Sequence, residues 1–377
     1  MMAPQLEILL IAVATAVACS LVGTFLVLRR LAMLSDAISH AILPGIVVAF
    51  FITGDLSSPW LVFGAAATGV LTVALVEALT RSRRLKEDAA MGLVFPALFS
   101  VGVVLITRHA GNVHLDVDAV LLGELAYAPF NRLVIGGVDV GPRALWLMGG
   151  IAGLNLLMVT LFFKELKLAT FDAGLAASLG FLPAVLHYGL MSLVSLTAVG
   201  AFDAVGLILV VALMIGPPAA AYLLTDRLSL MLGLSALLGA VAAAVGYWWA
   251  TLLDASIAGC MALAVGAVFG MVFLVAPGRG LLAVVRRRRR QRWEFAQVML
   301  AIHLAQHEGS PDEAEESRVE HLHGKHVGWT PEFTRRTVEL AVRGGLVLLD
   351  DGRLRLTGDG RVAAGLALSG TVDVSPG

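Results

Sequence analysis

The sequence predicts an all-α polytopic membrane protein of about eight or nine transmembrane helices that carries a small α+β domain at its C-terminus. Three observations carry this. Hydrophobic residues fill 58% of the 377 positions and charged residues only 15%, against about 25% charged in an ordinary soluble chain. Apolar stretches recur that are long enough to cross a hydrocarbon layer of about 30 Å, which takes roughly 20 helical residues. Charge is also segregated: residues 1–285 are nearly uncharged inside these stretches, whereas 286–377 are rich in Arg, Glu, Asp and His. The net charge of −1 therefore describes neither part. The 40 glycines suit membrane helices, where small residues let backbones approach.

Nine apolar segments lie near residues 5–28, 33–53, 59–80, 89–107, 143–163, 184–201, 204–224, 228–250 and 256–276. They are apolar all round, so length and flanking charge define them rather than periodicity. Basic residues mark cytoplasmic ends. Arg29 and Arg30, the 81–86 cluster, Lys164 with Lys167, Arg227, and Arg279 with Arg286–Arg290 all fall on one side. The N-terminus is then outside and the C-terminus cytoplasmic. Segments 184–201 and 204–224 are short and separated only by Phe202 and Asp203, so they also fit one re-entrant hairpin. Cys19 follows Ala16-Val-Ala in the manner of a lipoprotein cleavage site. The apolar run continues to Leu28 with no basic segment before it, so an uncleaved first helix is expected. Cys19 and Cys260 are distant from each other and make a poor disulfide framework.

The exterior connection 108–142 holds His109, His114, Asp116, Asp118 and Glu124. It reads as a solvated loop, with a short helix over 117–127, or as a docking surface for a delivery protein. The five arginines 286–290 read as a stop-transfer anchor on anionic lipid. A helix over 293–308 and an acidic linker over 311–317 follow. This gives boundaries of 1–280 for the membrane part, 281–318 for a basic juxtamembrane helix and linker, and 319–377 for the terminal domain. In that domain Thr330 and Pro331 start a helix that runs to Arg343, and Gly344-Gly345 stops it. Two short strands flank Asp350-Asp351-Gly352, a hairpin signal. Helix then hairpin is the order of a winged helix.

Asp36 and His40 are the most informative residues. Four apart, they share one helix face within an apolar span. Ionisable groups there are costly and face a partner or a water-filled path. A carboxylate and an imidazole form half of a coordination shell for manganese, zinc or iron. Ser35 and Ser39 are candidate outer hydrogen-bond partners. The plain alternative is that Asp36 and His40 pair with each other or with a neighbouring helix. Two ligands do not close a site; a two-fold dimer would bring four to its axis. Pro44 and Gly45 follow directly, and a proline there frees a backbone carbonyl and kinks the span.

Residues 34–46 (Leu-Ser-Asp-Ala-Ile-Ser-His-Ala-Ile-Leu-Pro-Gly-Ile) resemble the signature of the permease family of manganese, zinc and iron ABC importers. Three further blocks resemble it in the same order: 86–95 (Lys-Glu-Asp-Ala-Ala-Met-Gly-Leu-Val-Phe), 164–172 continuing through 176–180, and 205–224 with Gly216-Pro217-Pro218. Together they span most of residues 20–276. The resemblance implies a type II-like permease that dimerises with itself or a close paralogue, pairs with two ATPase subunits and receives metal from an extracytoplasmic binding protein. It also places Asp36 and His40 on the translocation path, in the plasma or inner membrane of a prokaryote. Manganese is the first candidate cargo, with zinc and iron open. The chain has no P-loop motif, so no ATPase activity of its own and no tightly bound cofactor are expected. Segment 165–180 is polar, cytoplasmic and capped by Asp172. The resemblance makes it the coupling helix, with Glu165, Phe171, Asp172, Ala176 and Gly180 at the ATPase contact. Gly216-Pro217-Pro218 is expected to break segment 204–224, as a hinge or as pathway wall.

Residues 326–364 resemble the winged-helix part of metal-dependent repressors of the diphtheria-toxin-repressor family. Charge argues against DNA binding: from residue 293 onward eight Lys or Arg stand against thirteen Asp or Glu, a balance of −5, where a DNA-binding domain shows a basic footprint. A regulatory or protein-contact role is preferred. His303, His307, His321, His323 and His326 suggest a regulatory metal site, with Glu308 and Glu320 as further ligands; scattered surface histidines are the alternative. The rival functions are a gradient-driven secondary metal transporter and a membrane-tethered, metal-responsive DNA-binding regulator.

Overall fold

The computed structural model describes residues 3–54, 58, 60–109, 125–323 and 328–369. The chain divides into two compact units, 1–280 and 281–377.

In the first unit, nine helical spans are long and apolar enough to cross a membrane among the described residues. Without water in the hydrocarbon, each span satisfies its own backbone as a helix. The helices are α1 (Pro4–Leu28), α2 (Ala32–Ala41) and α3 (Leu43–Thr53), which form one span, α4 (Trp60–Arg81) and α5 (Glu87–His109). An antiparallel hairpin follows, β1 (Arg132–Ile135) with β2 (Val138–Pro142). Then come α6 (Arg143–Leu161), the short helices α7 (Phe163–Phe171) and α8 (Ala173–Ser178), α9 (Pro183–Val205), α10 (Leu207–Leu224), α11 (Leu228–Leu253) and α12 (Ile257–Val275). The ambiguous pair resolves into two helices joined at Gly206, whose φ of 78° and ψ of 167° suit a residue without Cβ.

α1 is the central element. Within the unit 72% of its apolar window is buried, against 22–50% for the other spans. It packs on α6, α9, α10 and α11. Small residues permit this. A Cβ on Gly23 would lie 2.0 Å from the Met214 carbonyl oxygen of α10. Polar side chains add links between helices. Buried Asn155 of α6 donates to the Ala18 carbonyl at 3.1 Å and to the Thr197 hydroxyl of α9 at 2.8 Å, and Ser235 of α11 donates to the Ser20 carbonyl at 3.2 Å. At the N-terminal end of α1, buried Glu7 meets Arg132 of β1 at 3.2 Å, and Arg132 also holds Asp139 of β2 at 2.5 Å. Arg132 thereby keeps the Asp139 carboxyl below the usual carboxylate range, with the Gly141 N–H adding to it. Cys19 and Cys260 are both buried and unpaired.

One expectation is corrected. Gly216-Pro217-Pro218 does not break its span, because α10 runs without interruption from Leu207 to Leu224. Proline removes an N–H and crowds the carbonyl four residues back, but its φ is helical. Here both prolines are buried among neighbouring helices. Pro218 leaves the Met214 carbonyl without its intrahelical donor, and that carbonyl is the one facing Gly23.

The second unit begins with α13 (Leu281–His307), which is longer than the expected helix over 293–308 and carries the five exposed arginines. Its Leu300, Ala301 and Leu304 pack with Leu322, Val338, Val347 and Leu354, so α13 supplies core to the terminal domain rather than lying outside it. α14 (Glu313–Glu316) and a 3-10 turn at His321–His323 follow within the stretch expected as linker and domain start. α15 (Pro331–Arg343) starts on Thr330, whose hydroxyl accepts from the Phe333 N–H. β3 (Val347–Asp350) pairs with β4 (Arg353–Leu356) through Asp351 and Gly352, at φ 46° and 74°. Two positive φ values are what a type I′ hairpin turn requires. α16 (Gly358–Leu368) is capped by Thr357.

Gly23→Ala should destabilise the first unit by about 1–3 kcal/mol, the usual range for overpacking. Gly92→Ala, where nothing lies within 4 Å of an added Cβ, should not. Thermal unfolding of the two variants in detergent measures the difference.

Candidate functional site

Asp36 and His40 lie on α2, with Nε2 of His40 3.4 Å from Oδ1 of Asp36. Two ligand atoms bound to one ion at about 2.1 Å in tetrahedral geometry lie about 3.4 Å apart. The pair therefore already has the bite of a chelating couple. Their side chains are 37% and 34% exposed, whereas Leu34, Ala37, Ile38 and Ala41 beside them are buried. α2 thus hides its apolar face and leaves the two ionisable groups accessible. The His40 ring packs against Phe95 of α5, with centroids 5.5 Å apart, which limits its swing.

Pro44 and Gly45 stand at the start of α3, just after the joint at Ile42. Pro44 has no N–H to offer the His40 carbonyl, which explains why the span is jointed there. Gly45 has a separate role. A Cβ on it would lie 2.1 Å from the Gly64 carbonyl oxygen of α4, so α3 and α4 touch backbone to backbone. Ser35 and Ser39 are not placed as partners of the pair. Their hydroxyls donate to the Ala32 and Ser35 carbonyls of their own helix at 2.9 and 2.8 Å, and each has one hydrogen to give. In an apolar span this satisfies the hydroxyl at the shortest reach.

Segment 165–180 forms α7 and α8. Asp172 caps α8 by accepting from the Leu175 N–H at 2.8 Å. Gly180, at φ 86°, closes it: the Phe181 N–H reaches the Ala176 carbonyl and the Gly180 N–H the Ala177 carbonyl, the paired bonds of a Schellman end. Glu165 is half-buried in the first turn of α7. Ala176 is fully buried in the fold and cannot be a contact residue, since α8 turns it inward against the rest of the unit. The exposed large apolar residues of 171–182 are Phe171, Leu175, Leu179, Phe181 and Leu182. Sequence reading also missed the tie between α7 and α1. Arg29, at the end of α1, donates to the Thr170 hydroxyl at 3.2 Å and lies 3.2 Å from Nδ1 of His187 in α9. Gly216 packs against Val265 of α12, and Pro217 and Pro218 are buried, so these three lie inside the helix packing.

In the second unit, His303 and His307 of α13 come together with Glu316 of α14. One ligand atom from each lies within 4.8 Å of the others. His321 reaches the same carboxylate, with Nε2 3.1 Å from Oε1 of Glu316. Burial holds His303 below the usual histidine range, and neighbouring His307 adds to this, while Glu316 opposes it. Glu316 was not among the expected ligands; the acidic run 312–316 was the signal for it. Glu308 is not available, because Arg361 binds it at 2.6–3.1 Å, and Glu320 is exposed outside the group. The His323 side chain, His326, the His109 side chain and residues 110–124, with His114, Asp116, Asp118 and Glu124, lie outside the described residues.

Among the described residues nine apolar spans, the first of them the most buried, define a multi-pass membrane protein. The pattern of the ABC 3 transport family matches residues 4–276, and the chain belongs to that family. It is 48% identical over 266 residues to the manganese transport system membrane protein MntD of Bacillus subtilis (strain 168), covering 71% of this chain and 90% of that one. It is 47% identical over 355 residues to the zinc transport system membrane protein TroD of Treponema pallidum (strain Nichols), covering 94% and 96%. That second match extends well into the second unit. Among solved structures, PsaBC from Streptococcus pneumoniae in complex with Fab is 28% identical with a TM-score of 0.62, covering 74% of this chain and 94% of that chain.

With Cys19 and Cys260 replaced by alanine, single cysteines at Leu175 and Leu179 should react with a maleimide in the detergent-solubilised chain. A cysteine at Ala176 should not. Labelling rates read this directly.

Proposed function

We propose that this chain is the membrane permease subunit of an ATP-driven importer of divalent transition-metal ions, with manganese the first candidate and zinc or iron the alternatives. The 3.4 Å carboxylate–imidazole pair on α2 carries the reading. An accessible ionisable pair inside an apolar span is explained by a cation that passes it. The names of MntD and TroD, a manganese and a zinc system, support the cargo class and leave the metal open between them.

In this reading two copies of the permease, or this chain and a close paralogue, face each other so that two Asp36–His40 pairs meet at the axis. Two separate ATPase subunits dock on the cytoplasmic face at the exposed Phe171, Leu175, Leu179 and Leu182, and the permease itself is not an enzyme. A push on α7 reaches α1 through Arg29 and Thr170. The extracytoplasmic binding protein delivers metal to the opposite face, near the β1–β2 hairpin. The N-terminus is outside and the C-terminus cytoplasmic, and the membrane unit holds no cofactor tightly. The α13–α16 unit acts as a winged-helix-like regulatory domain that contacts protein rather than DNA; its balance of −5 supports that choice.

Asp36→Ala and His40→Ala should each reduce ATP-dependent metal uptake to background in liposomes holding the permease, ATPase and binding protein, with the complex still assembled. Uptake without the ATPase would instead establish a gradient-driven carrier. Tags at residues 1 and 377 should report outside and inside on intact cells. An externally accessible C-terminus would reverse the topology.

A further inference from the structure

The histidine–glutamate cluster of the second unit has the composition and closeness of a metal site in its own right. His303 and His307 are one turn apart on α13, with ring centroids 5.0 Å apart. Glu316 comes from α14 and His321 from the following turn. His303 Nε2 lies 3.3 Å from Oε2 of Glu316, and both atoms are buried without a hydrogen bond of acceptable geometry. A buried polar group left unsatisfied forfeits its hydration without recompense. A simple ion pair does not account for the arrangement. One carboxylate faces two rings, and the 3.3 Å approach of His303 Nε2 to Oε2 is not aligned as a hydrogen bond.

A cation between them would satisfy both buried atoms at once. Ligand atoms on a tetrahedral ion are about 3.4 Å apart, and His303 Nε2 lies 3.3 Å from Oε2 of Glu316, while His321 lies 3.1 Å from the other oxygen, Oε1. His303, His307 and Glu316 each offer a ligand atom within 4.8 Å of the others. We propose that His303, His307 and Glu316 form a binding site for one divalent transition-metal ion, distinct from the Asp36–His40 pair, with His321 holding the other oxygen of the Glu316 carboxylate. Imidazole-rich sets suit zinc, whereas manganese favours carboxylates and water. The site therefore prefers Zn²⁺ to Mn²⁺. Its ligands come from α13 and α14, so an ion would fix α14 against α13, and the 321–323 turn would follow through the His321–Glu316 contact. A role as a brake on uptake rests on the importer reading above; the site itself does not.

The experiment uses the full chain in detergent, stripped with EDTA and dialysed against Zn²⁺, or loaded with Co²⁺. Asp36→Ala/His40→Ala should retain one tightly bound equivalent of Zn²⁺ and, with Co²⁺, show the strong visible absorption of a four-coordinate site. His303→Ala/His307→Ala should lose both. Glu316→Gln, nearly isosteric, should weaken Zn²⁺ by more than the roughly 10–100-fold that loss of an outer partner costs, with the thermal transition of the metal-free protein unchanged. The site is overturned if Asp36→Ala/His40→Ala binds no tight equivalent, or if the other variants keep it. In liposomes with ATPase and binding protein, Glu316→Gln should match the wild type at low metal and exceed it at high metal. Equal uptake at every concentration overturns the brake and leaves the site standing. Absence of uptake by the wild type overturns the importer reading alone.

Discussion

Close backbone approach is the constraint on which the membrane unit rests. Between lipid-embedded helices there is no hydrophobic drive to association, so van der Waals contact and polar links must hold them. Gly23 lets α10 come against α1, and Gly45 with Gly64 does the same for α3 and α4. The first contact joins two signals far apart in the chain. Pro218 leaves the Met214 carbonyl without a helical donor, and Gly23 presents a Cα–H where a side chain would collide with it. Such Cα–H···O contacts recur between closely packed helices. Pro218 and Gly23 thus act together, the freed Met214 carbonyl lying against the bare Cα of Gly23.

The nine spans were legible from hydropathy alone because a bilayer imposes one solution on each segment. The joint in the second span was legible too, since Pro44 must free a carbonyl. What depended on distant neighbours was not. The double proline looked like a break from its own span, and only α1 and the other packed helices show why it is tolerated. Ala176 lies in the matching segment, yet which face of a six-residue helix turns inward depends on the surface beneath it. The i, i+4 spacing of His303 and His307 pointed to a candidate site, while the carboxylate that joins them, Glu316, arrives through a turn at 308–312 that composition does not specify. Ser35 and Ser39 read as helpers of the metal pair, but hydroxyls in an apolar helix bond to the carbonyl three or four residues back.

The ionisable pair and the glycine contact lie on opposite sides of the Ile42 joint. α3 is fastened to α4 where Gly45 meets Gly64. α2, ten residues long, holds the pair and packs on α5 through larger, more yielding side chains such as Phe95. The fold therefore sets the ionisable pair on the half of the span that lacks that glycine-to-glycine contact.

The two clusters also differ in how completely they can enclose an ion. Asp36 and His40 give one oxygen and one nitrogen, both part-open to their surroundings. An ion held by that pair alone retains water in its remaining positions, and exchange of those waters offers an exit without breaking every protein bond at once. Residence there is short by construction, which suits an ion in transit. Two histidines and a carboxylate at a half-buried point, with His321 on the other carboxylate oxygen, would leave less of the shell to solvent. Departure then requires several protein ligands to let go in sequence. The same element would be a passer-by at the first place and a lodger at the second, so its dwell times at the two would differ even at equal free concentration.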